Sequence, residues 1–367
     1  MRRAVRGLPS YSPGRDADTI RRETGFAGGL TKLASNEGPE GPFPAAITAM
    51  RECLSDAGRY PEAGGRMLKH ALALYHGVTP EEVLVAAGGC GALQHLASAL
   101  LEEHDEVAYC APTFHQYRLD AIRAGARPIV AGLDPSGSYD LRALESAISP
   151  RTKLVYVCTP NNPTGGLLDR DALGQFLLRL PAHVLPVIDE AYFEFIESPQ
   201  YPEPWRVQRL TQRDTVVIRS FSKIYGLAGL RVGYAIAPAK IVEVCQRVQN
   251  PYEVNRVAQS AALASLDSPE ELHRRTRDNR RRRAYLTEGL RALGVAPLPS
   301  QTNFVCIKVR SGLQVARALE AQGIIVRPLD AMGDAVGIRV TVGTDSEVEL
   351  FLAAFRSIRD ANHGMIL

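Results

Sequence analysis

Four apolar runs in this 367-residue chain lead into residues able to do chemistry. VLVAA (83–87) is followed by Gly88-Gly89-Cys90-Gly91, and LVYVC (154–158) by Thr159-Pro160-Asn161-Asn162-Pro163-Thr164-Gly165. VLPVID (184–189) ends on Asp189, ahead of Glu190-Ala191-Tyr192. TVVIRSF (215–221) carries Ser220 and continues into Ser222-Lys223, with Arg231 eight residues beyond the lysine. Each segment alone has an ordinary explanation: a tight glycine turn, an Asn-Pro turn, a carboxylate capping a helix, a solvated lysine. In this order they offer an amine nucleophile, a carboxylate, an amide with a phenol, and a cradle of backbone N–H groups, hydroxyls and a guanidinium for an anion.

That set is what pyridoxal phosphate requires of a protein. Its aldehyde forms a Schiff base with a lysine amine. Its pyridine nitrogen needs a carboxylate to stay protonated. Its ring oxygen needs hydrogen-bond donors, and its phosphate needs N–H groups at a helix N-terminus, hydroxyls and an arginine fork.

The elements that must present these groups are short strands alternating with helices. EVAYC (106–110), RPIVAG (127–132) and VGYAIA (232–237) add to the four runs above. Continuous rather than alternating hydrophobicity suits a sheet covered on both faces. Helical patterns at 92–103 and 169–180 separate the strands, so the fold class is α/β with a mostly parallel central sheet between helices. In such a sheet ligands bind outside the carboxyl ends of the strands, where the four segments lie. We expect a large cofactor-binding domain over 45–255 and a smaller α+β domain over 256–367. The smaller one would comprise a long helix (256–293), strands NFVCIKV (303–309), IIVRPL (324–329) and GIRVTVGT (337–344), and helices at 311–323 and 346–361. Residues 1–44 read as an arm with a strand joining the small domain.

Composition narrows the class. A net charge of +3 argues for neither nucleic acid nor an anionic membrane, and Arg280-Arg281-Arg282-Arg283 reads as a solvated helix face. No run of about 18 apolar residues exists to span a bilayer, and the N-terminal residues lack the apolar stretch of a signal peptide. The cysteines at 53, 90, 110, 158, 245 and 306 form no C-x-x-C pair and show no metal-ligand spacing with histidine. A reduced, cytoplasmic protein with no metal is expected.

With these residues in view, the chain resembles the fold-type I aminotransferases, and within them the histidinol-phosphate aminotransferase family, nearly end to end. The resemblance runs through residues 7–14, Leu33-Ala34-Ser35-Asn36-Glu37, Arg59-Tyr60-Pro61, Ala111-Pro112-Thr113-Phe114, the 159–165 turn, Asp189-Glu190-Ala191-Tyr192, the 220–231 segment and residues 337–344. It implies that Lys223 is the Schiff-base lysine and proton carrier and that Asp189 pairs with the pyridine nitrogen. Asn162 and Tyr192 would hold the ring oxygen and Phe114 would stack on the ring. Ser220, Ser222, Arg231 and the amides near Gly88, Gly89 and Cys90 would bind the phosphate. Tyr60 would reach the cofactor of a neighbouring subunit, which implies a homodimer with shared active sites. Tyr11, Asn36, Arg327 and Arg339 would line the substrate site. The implied reaction moves an amino group from histidinol phosphate to 2-oxoglutarate. Two departures stand out: the family's polar phosphate loop reads Gly89-Cys90-Gly91, and its Asn-Glu-Asn-Pro reads Asn36-Glu37-Gly38-Pro39. An aromatic amino acid aminotransferase and a threonine-phosphate decarboxylase-like enzyme are the alternative enzymes. A non-catalytic regulator with a preceding helix-turn-helix is disfavoured, because the resemblance already begins at about Gly7.

Overall fold

The computed structural model describes residues 6, 8, 17–197, 201, 212–330 and 337–361. Seven strands form the larger sheet: β2 (Val83–Ala86), β3 (Glu106–Cys110), β4 (Arg127–Ala131), β5 (Thr152–Cys158), β6 (Leu185–Asp189), β7 (Val216–Ser220) and β8 (Gly233–Ile236). Their order is β2-β8-β7-β6-β5-β3-β4. The run from β4 to β7 is parallel, and β8 is antiparallel to both of its neighbours. The strands β2, β3, β7 and β8 are buried at every residue. β4 is only partly covered and carries Pro128, as an edge strand permits because one row of its N–H groups has no partner.

Four further strands make the smaller sheet: β1 (Thr31–Leu33), β9 (Phe304–Ile307), β10 (Ile324–Pro328) and β11 (Ile338–Thr341), in the order β1-β10-β11-β9. β1 pairs with β10 in parallel, so the N-terminal segment is stitched to the C-terminal sheet. Apolar side chains of the helices Pro269–Ala292, Gly312–Glu320 and Asp345–Ala361 pack on it.

Two sequence expectations change. The 256–293 helix is two helices, Arg256–Leu266 and Pro269–Ala292. Asp267-Ser268 break the run, and Pro269 starts the second helix where its missing N–H costs nothing. The arginine run is also not wholly a solvated face. Arg280 and Arg281 are exposed, but Arg283 is buried against Glu197 and the carbonyl of Thr302, and Arg282 pairs with Glu40 and Asp345. With Arg274, which also grips Glu40, these arginines anchor the segment after Asn36 onto the long helix.

Candidate active site

Three parallel strands end side by side, with Cys158 of β5 opposite Asp189 of β6 and Asp189 opposite Ile218 of β7. Their C-terminal ends open into a cavity of about 290 Å³ that also reaches the smaller sheet. It is lined by Asn36, Gly89, Cys90, Phe114, Asn162, Asp189, Tyr192, Ser220, Ser222, Lys223, Arg231, Arg327 and Arg339 among others. Thirteen of the candidates singled out by sequence for one chain's site thus meet at one place, and Gly88 starts the helix Gly88–Leu100 that carries two of them.

Asp189 is almost wholly buried. Its Oδ2 accepts a hydrogen bond from the Tyr117 hydroxyl at 2.6 Å, and its Oδ1 accepts one from the Ala191 N–H at 3.1 Å. Burial pushes its pKa up, opposed by the Tyr117 and Ala191 donors and by the charge of Lys223. Both hydrogen-bond partners are neutral. A buried carboxylate held only by neutral donors would be well matched by a protonated pyridine nitrogen in the cavity.

Lys223 follows β7 directly, and its Nζ lies 5.5 Å from the centre of the Tyr192 ring. Burial, then the positive charges of Arg339 and Arg231, depress its pKa to about 8, with Cys90 and Glu37 opposing. An appreciable share of this amine is therefore unprotonated, and nucleophilic, near neutral pH.

The two asparagines of the 159–165 turn divide the work. Asn161 is fully buried and ties the turn together: its Nδ2 donates to the Pro112 carbonyl at 3.1 Å and to the Thr164 hydroxyl at 2.7 Å. Asn162 faces the cavity. Its Oδ1 accepts from Arg339 Nη1 at 2.5 Å, which leaves its Nδ2 as a donor. Tyr192 accepts from the Asn36 amide at 2.8 Å, so its own hydroxyl proton remains to be donated. Asn36 sits in the left-handed region at φ 54° and is fixed by Thr341 and by the Asn303 amide. Phe114 stands at the end of β3, edge-on to Tyr117.

An anion cradle lies at the foot of the cavity. The sequence suggests a loop at 88–91, but helix begins at Gly88 itself. The first-turn N–H groups have no partner within the helix and carry its positive dipole end. Glycine is required at two points here. A Cβ on Gly88, at φ +76°, would lie 2.8 Å from Arg231 Nη2, and one on Gly233 would lie 2.6 Å from the Gly89 nitrogen. Arg231, itself left-handed at φ 54°, donates to the Ala228 carbonyl and reaches the Ser222 hydroxyl at 3.4 Å. Because those first-turn N–H groups have no helical partner, the loss of polar side chains at 89–90 still leaves a site for a phosphate. These observations together fit pyridoxal phosphate.

Tyr60 does not line this cavity. It is 79% exposed, stacked on Tyr252 with ring centres 4.7 Å apart. Tyr11 lies outside the described residues. Three residues in or beside the cavity were missed by sequence. Tyr117 and His115 follow Phe114 by three and one residues, so a stacking aromatic ahead of a helix could have flagged them. Glu253 takes hydrogen bonds from the Ala87 N–H, His95 and Gln249, pinning the start of the cradle helix. No local pattern marks a carboxylate that acts across 166 residues.

The Gly38 departure has a local explanation. A Cβ there would lie 2.8 Å from the Lys223 carbonyl oxygen. The segment therefore packs backbone to backbone against the lysine turn, and any larger residue would displace one of them.

Residues 29–355 match the family described as aminotransferase class I and II. The chain is 38% identical to a histidinol-phosphate aminotransferase of Moorella thermoacetica, across 97% of this chain and 92% of that protein. It is 39% identical to an aromatic amino acid aminotransferase of Nocardia farcinica, across 96% and 95%. Among solved structures, it superposes on a Sinorhizobium meliloti histidinol-phosphate aminotransferase in complex with pyridoxal-5'-phosphate with a TM-score of 0.88, at 25% identity over 98% of both chains.

Proposed function

Because the chain belongs to the class I and II aminotransferase family and is a pyridoxal-phosphate-dependent transaminase, we propose that its amino donor is histidinol phosphate and its acceptor 2-oxoglutarate. One observation carries the choice of donor: Arg327 on β10 stands directly opposite Arg339 on β11, and both face the cavity. An α-carboxylate needs one guanidinium. A phosphate dianion makes use of two. Relatives named histidinol-phosphate aminotransferase support the same reading. The aromatic-acid alternative has the Nocardia relative in its favour and predicts that Arg339 alone matters.

The cofactor, when bound, supplies an electron sink that stabilises negative charge on the carbon next to the substrate nitrogen. The chain's own groups do the rest. Lys223 would hold the cofactor covalently, and its amine, when free, would carry a proton to and from that carbon. Asp189 keeps a negative charge against the pyridine nitrogen. Asn162 and Tyr192 donate to the ring oxygen, and Phe114 packs on the ring face. Ser220, Ser222, Arg231 and the amides of the helix start hold the phosphate. Asn36 sets the Tyr192 hydroxyl and, with Arg327 and Arg339, bounds the substrate side; Tyr11 is assigned to that side too.

Arg339→Lys and Arg327→Lys keep the charge and lose the planar fork. Each is expected to lower kcat/KM for histidinol phosphate by about ten- to a hundredfold, since charge-assisted hydrogen bonds contribute roughly 1.5–3 kcal/mol. Histidinol, which lacks the phosphate, should be much less sensitive to either change. Steady-state kinetics on both donors decide the matter: equal losses would mean that neither arginine reads the phosphate, and phenylalanine as the better donor would favour the aromatic-acid reading.

The exposure of Tyr60, stacked on Tyr252 away from the Lys223 cavity, supports a homodimer in which each subunit lends Tyr60 to its partner's site. Mixing inactive Lys223→Ala protein with an inactive Tyr60→Ala protein should then restore activity, because one site of the hybrid has both residues. An active monomer in analytical ultracentrifugation would exclude the shared site. No described helix is long and apolar enough to cross a membrane, and we place the enzyme in the cytoplasm.

A further inference from the structure

Among the titratable groups that line the cavity, His115 has no part in the chemistry at the reacting carbon. His115 follows Phe114 and stands immediately before the helix Gln116–Ala124, where it gives that helix no side-chain cap. Its ring is half-buried and lines the cavity together with Arg327 and Arg339. The three come from separate elements: His115 from the turn between β3 and the helix Gln116–Ala124, Arg327 from β10 and Arg339 from β11. The imidazole is close enough to both guanidiniums that, after burial itself, their positive charges are what most depress its pKa. Its ring is fixed edge-on to Phe114 at 5.0 Å between centres, and Phe114 is in turn braced by Tyr117.

Consider what an anion between the two arginines would meet. Arg339 already spends Nη1 on the Asn162 amide oxygen and Nη2 on the Ala34 carbonyl. Part of its donor capacity is therefore committed to holding the site. A phosphate dianion presents three terminal oxygens, each able to accept more than one hydrogen bond. Arg327 and a partly committed Arg339 leave acceptor capacity on it, and the imidazole lines the same cavity. Placing a neutral imidazole beside two cations is unhelpful to the empty pocket. It becomes favourable when an anion sits between them, because an imidazole N–H can then donate to it.

We propose that His115 is a substrate-specificity residue that donates to the distal phosphate of the amino donor, completing with Arg327 and Arg339 a three-sided anion pocket. The proposal rests on the phosphorylated donor assigned above. It assigns His115 to binding and not to proton transfer at the reacting carbon, so its removal should appear in KM and leave kcat nearly unchanged. His115→Asn keeps an N–H donor where the imidazole Nδ1 stands and is a favourable residue ahead of a helix, whereas His115→Ala removes the donor.

The test uses the cofactor-loaded wild-type, His115→Ala and His115→Asn proteins, with histidinol phosphate, histidinol, and inorganic phosphate as a competitive inhibitor against the donor. In His115→Ala, the KM for histidinol phosphate and the inhibition constant of inorganic phosphate should each rise about tenfold, the scale of one lost hydrogen bond to a charged group. Histidinol kinetics should be unchanged, and His115→Asn should recover most of the loss. Equal losses for the two donors, unaltered inhibition by phosphate, or a fall in kcat alone would overturn the role of His115. The donor assignment is read from the wild type alone, by whether histidinol phosphate outperforms histidinol. Inhibition by inorganic phosphate still judges His115 if that comparison fails.

Discussion

Lys223→Ala is expected to lower turnover by on the order of 10⁴-fold or more while leaving the fold intact, because it removes the covalent anchor and the proton carrier together. The side chain projects into a cavity and supports no ion pair among the described residues, so its truncation creates no cavity within either hydrophobic core. Circular dichroism and the melting temperature should therefore stay close to wild type. Borohydride reduction of the loaded wild-type enzyme followed by peptide mapping should place the cofactor on Lys223, and a label on any other lysine would overturn the assignment. The depressed pKa, about 8, gives this prediction a pH signature. The free amine attacks the cofactor aldehyde, so reloading of stripped enzyme should slow as pH falls below about 8 and level off above it. An ordinary lysine, with a pKa near ~10.4, would still be gaining rate at pH 9.

Why the cofactor side was so much more legible than the substrate side has a physical reason. Asp189 ends a buried strand, Lys223, Asn162 and the helix start at Gly88 each follow one, and a buried strand is a strong local signal. Once the strands are placed, their carboxyl ends must adjoin, so the residues there are brought together by topology alone. Arg327 and Arg339 could be named from the chain, but their apposition depends on the register of β10 against β11, which a one-residue slip would reverse. Tyr117, His115 and Glu253 act through tertiary contacts. Tyr117 meets Asp189 across 72 positions, and nothing in a tyrosine on a helix says that its hydroxyl will face a carboxylate. The broken 256–293 helix is a milder case. Its helical periodicity continues across the break, and only Ser268-Pro269 marks the restart. The misjudged part of the arginine run has the same origin: whether Arg282 and Arg283 face water depends on where Glu40, Glu197 and Asp345 are brought by the rest of the chain.

The geometry around Asp189 also separates charge from shape. Asp189→Asn preserves volume, so the cofactor should still bind, but the counter-charge to the pyridine nitrogen is gone. Removing one preorganised electrostatic partner of this kind costs about 10²–10³-fold in kcat. The substitution has a second cost. The carboxylate accepts from Tyr117 on one oxygen and from Ala191 on the other, whereas an asparagine can accept on one side only. Its NH₂ must face one of those donors, leaving a buried N–H or O–H unpaired at about 1–3 kcal/mol, so Asp189→Asn should also melt at lower temperature than Lys223→Ala. Tyr117→Phe provides the complementary change: the charge stays and one donor is lost. Burial raises the pKa of Asp189 and the donor opposes it by favouring the ionised carboxylate, so without the donor the pKa rises further. The charged form is the working one and is lost as pH falls through that pKa. The acidic limb of kcat against pH, and of the cofactor absorbance, should therefore move to higher pH in Tyr117→Phe, with about tenfold or smaller loss at the optimum. Near-normal turnover of Asp189→Asn would remove the carboxylate from its assigned place against the pyridine nitrogen. An unshifted acidic limb in Tyr117→Phe would instead mean that the phenol holds Asp189 in position without influencing its charge.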